Sequence, residues 1–237
     1  CHVRFLVPEG RTVLDLGCGD GSLLASVKPA QGIGLDISPS MIALARERHV
    51  DDPSLEFHVG NEHTTAVKGP FDYVILSDVV GDLYDIESTF KSLREVCNSE
   101  TRVIVSYYNF LWEPILRLSE RLGLKRPQKD PNWLSPNDLV GILHLAGYEV
   151  IRAEKRTLLP KNVPLLTPLL NRFVATLPAF SSLCLSFFLV GRKIDLPIRK
   201  RERSVSIVIP TLNERGNVEA AVERIPRFGR SQEIIFV

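Results

Sequence analysis

The stretch TVLDLGCGDGSLL, residues 12–24, constrains this chain more than any other. An apolar run delivers one acid, Asp15, and then Gly17, Gly19 and Gly21 turn the backbone into a helix that starts near Ser22. Glycine takes positive φ without a steric penalty and lets backbone lie close against a ligand. Strand, glycine turn and helix together open an α/β unit. A dinucleotide loop, G-x-G-x-x-G, would need its third glycine at position 22, which is Ser22. The spacing is instead G-x-G-x-G, with an acid two residues ahead of the first glycine.

The next 130 or so residues repeat the same alternation. Strands are expected at residues 12–16, 32–37, 55–59, 72–77, 101–107 and 148–153, several of them apolar without alternation, as strands covered on both faces are. Ser38-Pro39 supplies a cap and a first-turn proline before MIALARER, and Ser135-Pro136-Asn137-Asp138 does the same before LVGILHLA, with Gly147 as the stop. Between them, Ile86, Phe90, Leu93 and Cys97 share one face of a helix expected over 86–97. The pattern predicts an α/β fold with a doubly wound, Rossmann-like, mostly parallel sheet. In such sheets ligands sit beyond the carboxyl ends of the strands, so functional residues are expected just after each strand.

The glycine loop resembles motif I of the class I S-adenosylmethionine-dependent methyltransferases. GLDISPSMI is similar to that family's second strand ending in an acid, FDYVILSDVV to its fourth strand, and NWLSPNDLVGILHLAGYEVI to its late helix and strand. The resemblance runs from about residue 5 to residue 193. It is strongest to the small type 11 methyltransferases, with a touch of the methionine-biosynthesis W branch at VSYYNFLW. It implies a seven-stranded sheet and S-adenosyl-L-methionine as cofactor. By that resemblance, Gly17, Cys18 and Gly19 lie under the methionine part, Asp15 orients the loop or the amino group, and Asp36 accepts both ribose hydroxyls. The case for Asp36 also stands alone: it lies 21 residues after Asp15 at a strand tip, where an ionised carboxylate binds a vicinal diol. Ile37 follows Asp36 at the strand end, and Met41 packs either on the adenine or in the helix core, the core being the favoured reading. The resemblance further implies that Asn61, with Glu62 as fallback, stands at the adenine-reading position after the third strand and that Ser77 borders the cofactor. Cys18 has no base beside it and reads as a small residue that fits.

No motif encodes the methyl acceptor. Candidates for a general base or pocket wall are His63, Asp78, Tyr84, Tyr107, Tyr108 and Asn109, and each reads more readily as wall than as base. His58 and His63 lack a third ligand, so no metal is assigned.

Composition removes other classes. With 29 Lys and Arg against 28 Asp and Glu the net charge is +1, which gives no electrostatic support for a nucleic-acid partner. Four scattered cysteines without a C-x-x-C pair argue against a disulfide framework or a zinc site and suit a cytoplasmic, reducing compartment. Residues 191–203 hold six Lys or Arg against two acids and read as a basic linker or surface patch. Ahead of it, Phe173 to Val190 is uncharged for 18 residues but is interrupted by Pro178. A loop with short helices (162–180) followed by a buried strand (183–190) is expected there. The segment 162–203 is a candidate for peripheral contact with the inner membrane face.

After the linker, SVSIVIPTLNERGNVEAAVERI and QEIIFV resemble the opening of a family 2, A-type glycosyltransferase, with Pro210, Thr211 and Glu214 near a nucleotide-sugar and Asn217 starting the helix. About 34 residues do not bury an independent core. The expected organisation is therefore a methyltransferase domain at 1–193, a linker at 194–203 and the incomplete start of a second α/β domain at 204–237. A nucleotide-sugar is a partner only of a complete glycosyltransferase domain. The combined reading is a methyltransferase acting on a small-molecule acceptor, a sugar or polyprenyl-linked glycan intermediate. Its alternatives are a catalytically silent cofactor-binding module and an NAD-dependent oxidoreductase.

Overall fold

The computed structural model describes residues 2–61, 67–113, 134–156, 184–194, 204–211, 216, 218–227 and 230–237. The chain divides into two compact units, Cys1–Asp195 and Leu196–Val237.

In the first unit a short helix α1 (Val3–Leu6) precedes β1 (Thr12–Leu16), α2 (Ser22–Ser26), β2 (Gln31–Asp36), α3 (Pro39–Arg48) and β3 (Leu55–Val59). There follow β4 (Tyr73–Ser77), α4 (Ile86–Leu93), β5 (Arg102–Tyr108), α5 (Pro136–Leu145), β6 (Tyr148–Arg156) and β7 (Ser186–Lys193). The seven strands lie in the order β3-β2-β1-β4-β5-β7-β6, all parallel except β7, which runs antiparallel to both neighbours. Strand order reverses between β1 and β4, and the crevice at their carboxyl ends is where an open α/β sheet receives a ligand.

Both faces of the central strands are buried, which explains their unbroken apolar runs. Leu14, Leu16, Val74, Leu76, Val103 and Val105 build one core with Phe90, Leu139, Leu143 and Tyr148 from α4, α5 and the start of β6. Val13, Ile75, Ile104 and Val190 face the other way, toward Leu24, Ile42 and Phe57. The helix starts follow the sequence signals. The Ser38 hydroxyl accepts from the Met41 N–H at the head of α3, and Ser135 and Asp138 form a reciprocal capping box ahead of α5.

Two expected boundaries shift for identifiable reasons. The helix expected over 86–97 stops at Leu93 and tightens into a 3₁₀ turn, Arg94–Val96. The Lys193 ammonium, reaching across from β7, donates to the carbonyls of Arg94 (3.1 Å) and Cys97 (3.0 Å) at that turn. The strand expected at 183–190 lies at Ser186–Lys193 instead, carrying the sheet into what reads as linker. Its charges find partners: Arg192 donates to the Glu149 carboxylate at 2.9 Å, and Lys193 is taken up as just described. The helices expected over 162–180, and most of the linker, lie outside the described residues.

In the second unit β8 (Ser204–Ile209), helix α6 (Val218–Arg224) and β9 (Ser231–Phe236) form a β-α-β unit. β8 and β9 pair in parallel from Ser204↔Ser231 to Ile209↔Phe236, and the Thr211 N–H closes the pair on the Val237 carbonyl.

Candidate cofactor-binding site

The site is built at the tips of β1, β2 and β4. Past Leu16, Gly17 enters the left-handed region at φ +77°, and the N–H groups of Gly17 and Cys18 both donate to the Leu35 carbonyl, at 2.7 and 3.0 Å. The glycine loop is thereby folded over the end of β2. A Cβ on Gly17 would lie 2.6 Å from Val79 Cγ2, and one on Gly21 would lie 2.6 Å from the Phe57 ring. The loop is wedged between the turn after β4 and the third strand, and only glycine fits at either contact. Gly19 differs. It also has positive φ, +54°, but nothing lies within 4 Å of the Cβ it lacks. That side of the loop is open.

Asp36, partly exposed at the tip of β2, is fixed from two directions. Its Oδ2 accepts from the Gly19 N–H and its Oδ1 from the Ser38 N–H, both at 2.9 Å. Each oxygen keeps a second lone-pair direction for a ligand hydroxyl.

Asp15, at the end of β1, is 1% exposed, and neither of its carboxyl oxygens has a hydrogen-bond partner. Burial, reinforced by the Asp36 carboxylate, raises its pKa to about 7. A buried carboxyl left without a partner costs several kcal/mol if ionised and demands an explanation. Cys18 is buried, and its sulfur would lie 2.8 Å from a Cβ on Gly34. Burial, then Asp15 and Asp36, hold its thiol far above the ordinary range, so it fills space and is no nucleophile at neutral pH.

On the β4 and β5 side, the Ser77 and Ser106 hydroxyls share a hydrogen bond of 2.9 Å. Asp78 takes a positive φ of +58°, uncommon outside glycine, and its N–H donates to the Ser106 carbonyl at 3.0 Å. This sharp turn drives Val79 onto Gly17, linking the two sides of the crevice.

A profile of the methyltransferase domain matches residues 3–153. The chain belongs to the methyltransferase-domain family. It is 25% identical over 121 residues to the bifunctional methionine biosynthesis protein MetXA/MetW of Rhodopirellula baltica, a stretch covering 46% of this chain and 19% of that protein. Among solved structures, an S-adenosylmethionine-dependent methyltransferase from Mesorhizobium loti superposes with a TM-score of 0.59 at 15% identity, covering 81% of this chain and 95% of that one. The magnesium protoporphyrin IX methyltransferase of Synechocystis, with bound S-adenosylhomocysteine, gives a TM-score of 0.53 at 20% identity over 81% of this chain and 78% of that one. The chain spans less than half the length of the curated relatives it matches.

Within this methyltransferase domain the residues singled out from the sequence separate into three groups. Asp15, Gly17, Cys18, Gly19, Asp36 and Ser77 gather at the adjoining tips of β1, β2 and β4. Ile37, expected inside the second strand, follows the strand end and is 77% exposed, while Met41 is half-buried on α3 and Asn61 is exposed after β3. Glu62 and His63 lie outside the described residues.

The base candidates stand in different surroundings. Tyr107 is buried, with its ring edge on Phe187 and its hydroxyl 2.6 Å from where a Gly81 Cβ would stand. Burial, then Asp82, Asp78 and Glu113, push its pKa up to about 12. Asn109 is also buried; its Nδ2 donates to the Cys184 carbonyl at 2.9 Å and its N–H to the Leu185 carbonyl at 2.6 Å. The Asn109 amide ties the end of β5 to the residues ahead of β7, whereas the Tyr107 hydroxyl faces the turn after β4. Tyr108 is partly exposed, with a pKa raised to about 12 by burial and Asp78, and Tyr84 is fully exposed.

Sequence reading missed two supports of the glycine loop. Arg48 pairs with the Asp20 carboxylate, and the His49 Nε2 lies 3.2 Å from the Asp20 carbonyl. Both sit at the far end of α3, where only the three-dimensional path of the helix brings them back to the loop. The role of Val79 had a weak signal, its place just after the β4 tip.

Proposed function

We propose that this chain transfers a methyl group from S-adenosylmethionine to a small-molecule acceptor, a sugar or glycolipid intermediate, bound beyond β4 and β5. The observation that carries the cofactor side is the pairing of an open Gly19 with two acids of different character beneath it. Asp36 is a solvated, pre-oriented acceptor suited to a ribose diol. Asp15 is a buried acceptor with nothing to accept from, suited to a cationic amino group. Met41 and the exposed Ile37 offer apolar surface for the adenine, and Asn61 offers an amide for its edge, with Glu62 beside it. Bound there, the cofactor supplies an electrophilic methyl on a sulfonium.

The chain's own contribution is then positional. In-line displacement needs the acceptor atom held about 3 to 3.5 Å from the methyl group, and no covalent enzyme intermediate is required. The stiff junction of Gly17, Val79 and Asp78 fixes the cofactor loop relative to the acceptor side. Asp78 and Tyr108 border that side, whereas the burial of Tyr107 and Asn109 favours a wall over a base at those positions. That burial is also what favours a second reading, a cofactor-binding module without turnover. His63 keeps its place as a base candidate from the sequence.

Residues 204–237 read as the opening of a family 2 glycosyltransferase domain, with Pro210 and Thr211 after its first strand. The parallel β8-α6-β9 unit supports this reading. Coupling the two activities in one chain is the argument for a glycan or polyprenyl-linked acceptor. No helix among the described residues is long and apolar enough to cross a membrane, and contact of residues 162–203 with an anionic membrane surface is part of the proposal. Incubation with methyl-labelled S-adenosylmethionine and a panel of sugar lipids, free sugars and small amines tests it. Label in the sugar lipids is expected; label only in other acceptors overturns the acceptor class, and binding without transfer to any acceptor supports the silent module.

A further inference from the structure

The mechanism uses Asp15 only as an acceptor, and its setting says more. The carboxyl sits on the strand that begins the glycine loop, opposite Gly34 of β2 and Ile75 of β4 in the sheet register. Neither neighbour offers a donor side chain. The titratable groups acting on it are Asp36, at the tip of β2, and the Cys18 thiol above it in the loop. Asp20, one turn further along the loop, is engaged by Arg48 and by the Ser22 N–H. No cation among the described residues compensates Asp15, and one carboxylate already stands beside it. A second negative charge in that place is costly unless something positive arrives with the ligand.

We infer that Asp15 is a proton-exchanging recognition residue, one that holds a proton more readily in the empty site than when the α-ammonium of the S-adenosyl ligand is seated. On binding, the carboxylic O–H bond breaks, its proton goes to the solvent buffer, and the carboxylate left behind pairs with the ammonium, which keeps its own protons. The site therefore selects ligands carrying that cationic tail, and does so more strongly as pH rises. This rests on the S-adenosylmethionine reading of the site and adds to it a charge-selective step belonging to this chain.

The raised pKa of about 7 sets the size of the effect. An empty-site carboxyl of that pKa is about one-tenth ionised at pH 6 and about nine-tenths at pH 8, so affinity for the tailed ligand tightens about tenfold across that interval. Titration calorimetry of the full chain compares S-adenosylhomocysteine with 5′-methylthioadenosine, which keeps the nucleoside and lacks the amino-acid tail. Interactions at Asp36 and around the adenine are common to both ligands and cancel in the ratio of the two dissociation constants. We expect the methylthioadenosine dissociation constant divided by that of S-adenosylhomocysteine to rise about tenfold from pH 6 to pH 8. We also expect about half a proton to be released per S-adenosylhomocysteine bound at pH 7, read from buffers of different ionisation heat, and none for methylthioadenosine. Asp15→Asn should flatten the pH dependence of the ratio and abolish the release, with a cooperative thermal unfolding transition as the check on folding. Tight S-adenosylhomocysteine binding with a flat ratio and no proton release overturns the inference while leaving the cofactor reading intact. Failure of both ligands to bind overturns the cofactor reading itself.

Discussion

A single added methyl group separates the two jobs of the glycine loop. Gly17 and Gly19 both hold positive φ, at +77° and +54°, so alanine at either costs about 1 to 2 kcal/mol of backbone strain. They differ in what the methyl meets. At Gly17 it lands 2.6 Å from Val79 Cγ2, inside the contact distance of two carbons, and the overpacking adds about 1 to 3 kcal/mol. At Gly19 it meets nothing within 4 Å. Gly17→Ala is therefore expected to lose about 2 to 5 kcal/mol of stability and Gly19→Ala only about 1 to 2. At about 2 to 4 °C per kcal/mol for a domain of this size, thermal unfolding distinguishes them. Ligand binding should rank them differently. If the open face of Gly19 is where the cofactor lies, Gly19→Ala loses at least about tenfold in S-adenosylhomocysteine affinity, or about 1.4 kcal/mol, on a nearly intact fold. Adding Val79→Ala to Gly17→Ala should restore part of the stability by removing the clash but not the strain, a coupling that a double-mutant cycle measures. Gly19→Ala binding within twofold of the parent would refute the placement of the cofactor on that face.

Other expectations follow from the same geometry. Asp15 has a folded pKa raised to about 7 from 3.8, so between those values the folded state holds a proton that the unfolded chain has lost. Stability without ligand should accordingly fall as pH rises through that window and level off above it. Asp15→Asn should gain about 2 to 3 kcal/mol more at pH 8 than at pH 5 in denaturant unfolding, and a pH-independent gain would contradict the assignment. Asn109→Ala leaves the Cys184 carbonyl without its buried donor and should cost about 1 to 3 kcal/mol; at a temperature where the variant is folded, S-adenosylhomocysteine affinity should stay unchanged, against a cofactor role for this residue. Ser135→Ala removes the capping box of α5 and should lower stability by about 1 kcal/mol, seen as a small shift in thermal midpoint.

Much of the site was readable because the information is local. A glycine needed for positive φ, an acid at a strand tip, and a Ser-Pro helix start are each written within a few consecutive residues, and Gly17, Gly19, Asp36 and Ser38 took their places accordingly. What escaped depends on distant partners. Residues 191–193 read as linker because they carry charge, yet Arg192 and Lys193 continue β7 since Glu149 and the carbonyls of Arg94 and Cys97 receive them. Tyr107 and Asn109 stand at the end of β5, where pocket residues are expected, but β7 inserts beside that strand and buries them. His49 and Arg48 support the glycine loop through a return of α3 that periodicity does not reveal. The solitude of Asp15 was equally invisible, because a missing partner is a property of everything around a residue.

The central claim, that this methyltransferase domain holds an S-adenosyl ligand between the glycine loop and the tip of β2, is tested most directly by titration calorimetry on the parent chain and Asp36→Ala. In the proposed site Asp36 accepts the ribose hydroxyls through charge-assisted hydrogen bonds worth about 1.5 to 3 kcal/mol each, and it also holds the Gly19 N–H. The account predicts saturable one-site binding of S-adenosylhomocysteine by the parent, at least about tenfold weaker binding by Asp36→Ala, and no binding of NAD by either. Binding of NAD in preference to S-adenosylhomocysteine, or an Asp36→Ala chain that binds S-adenosylhomocysteine as the parent does, would contradict it.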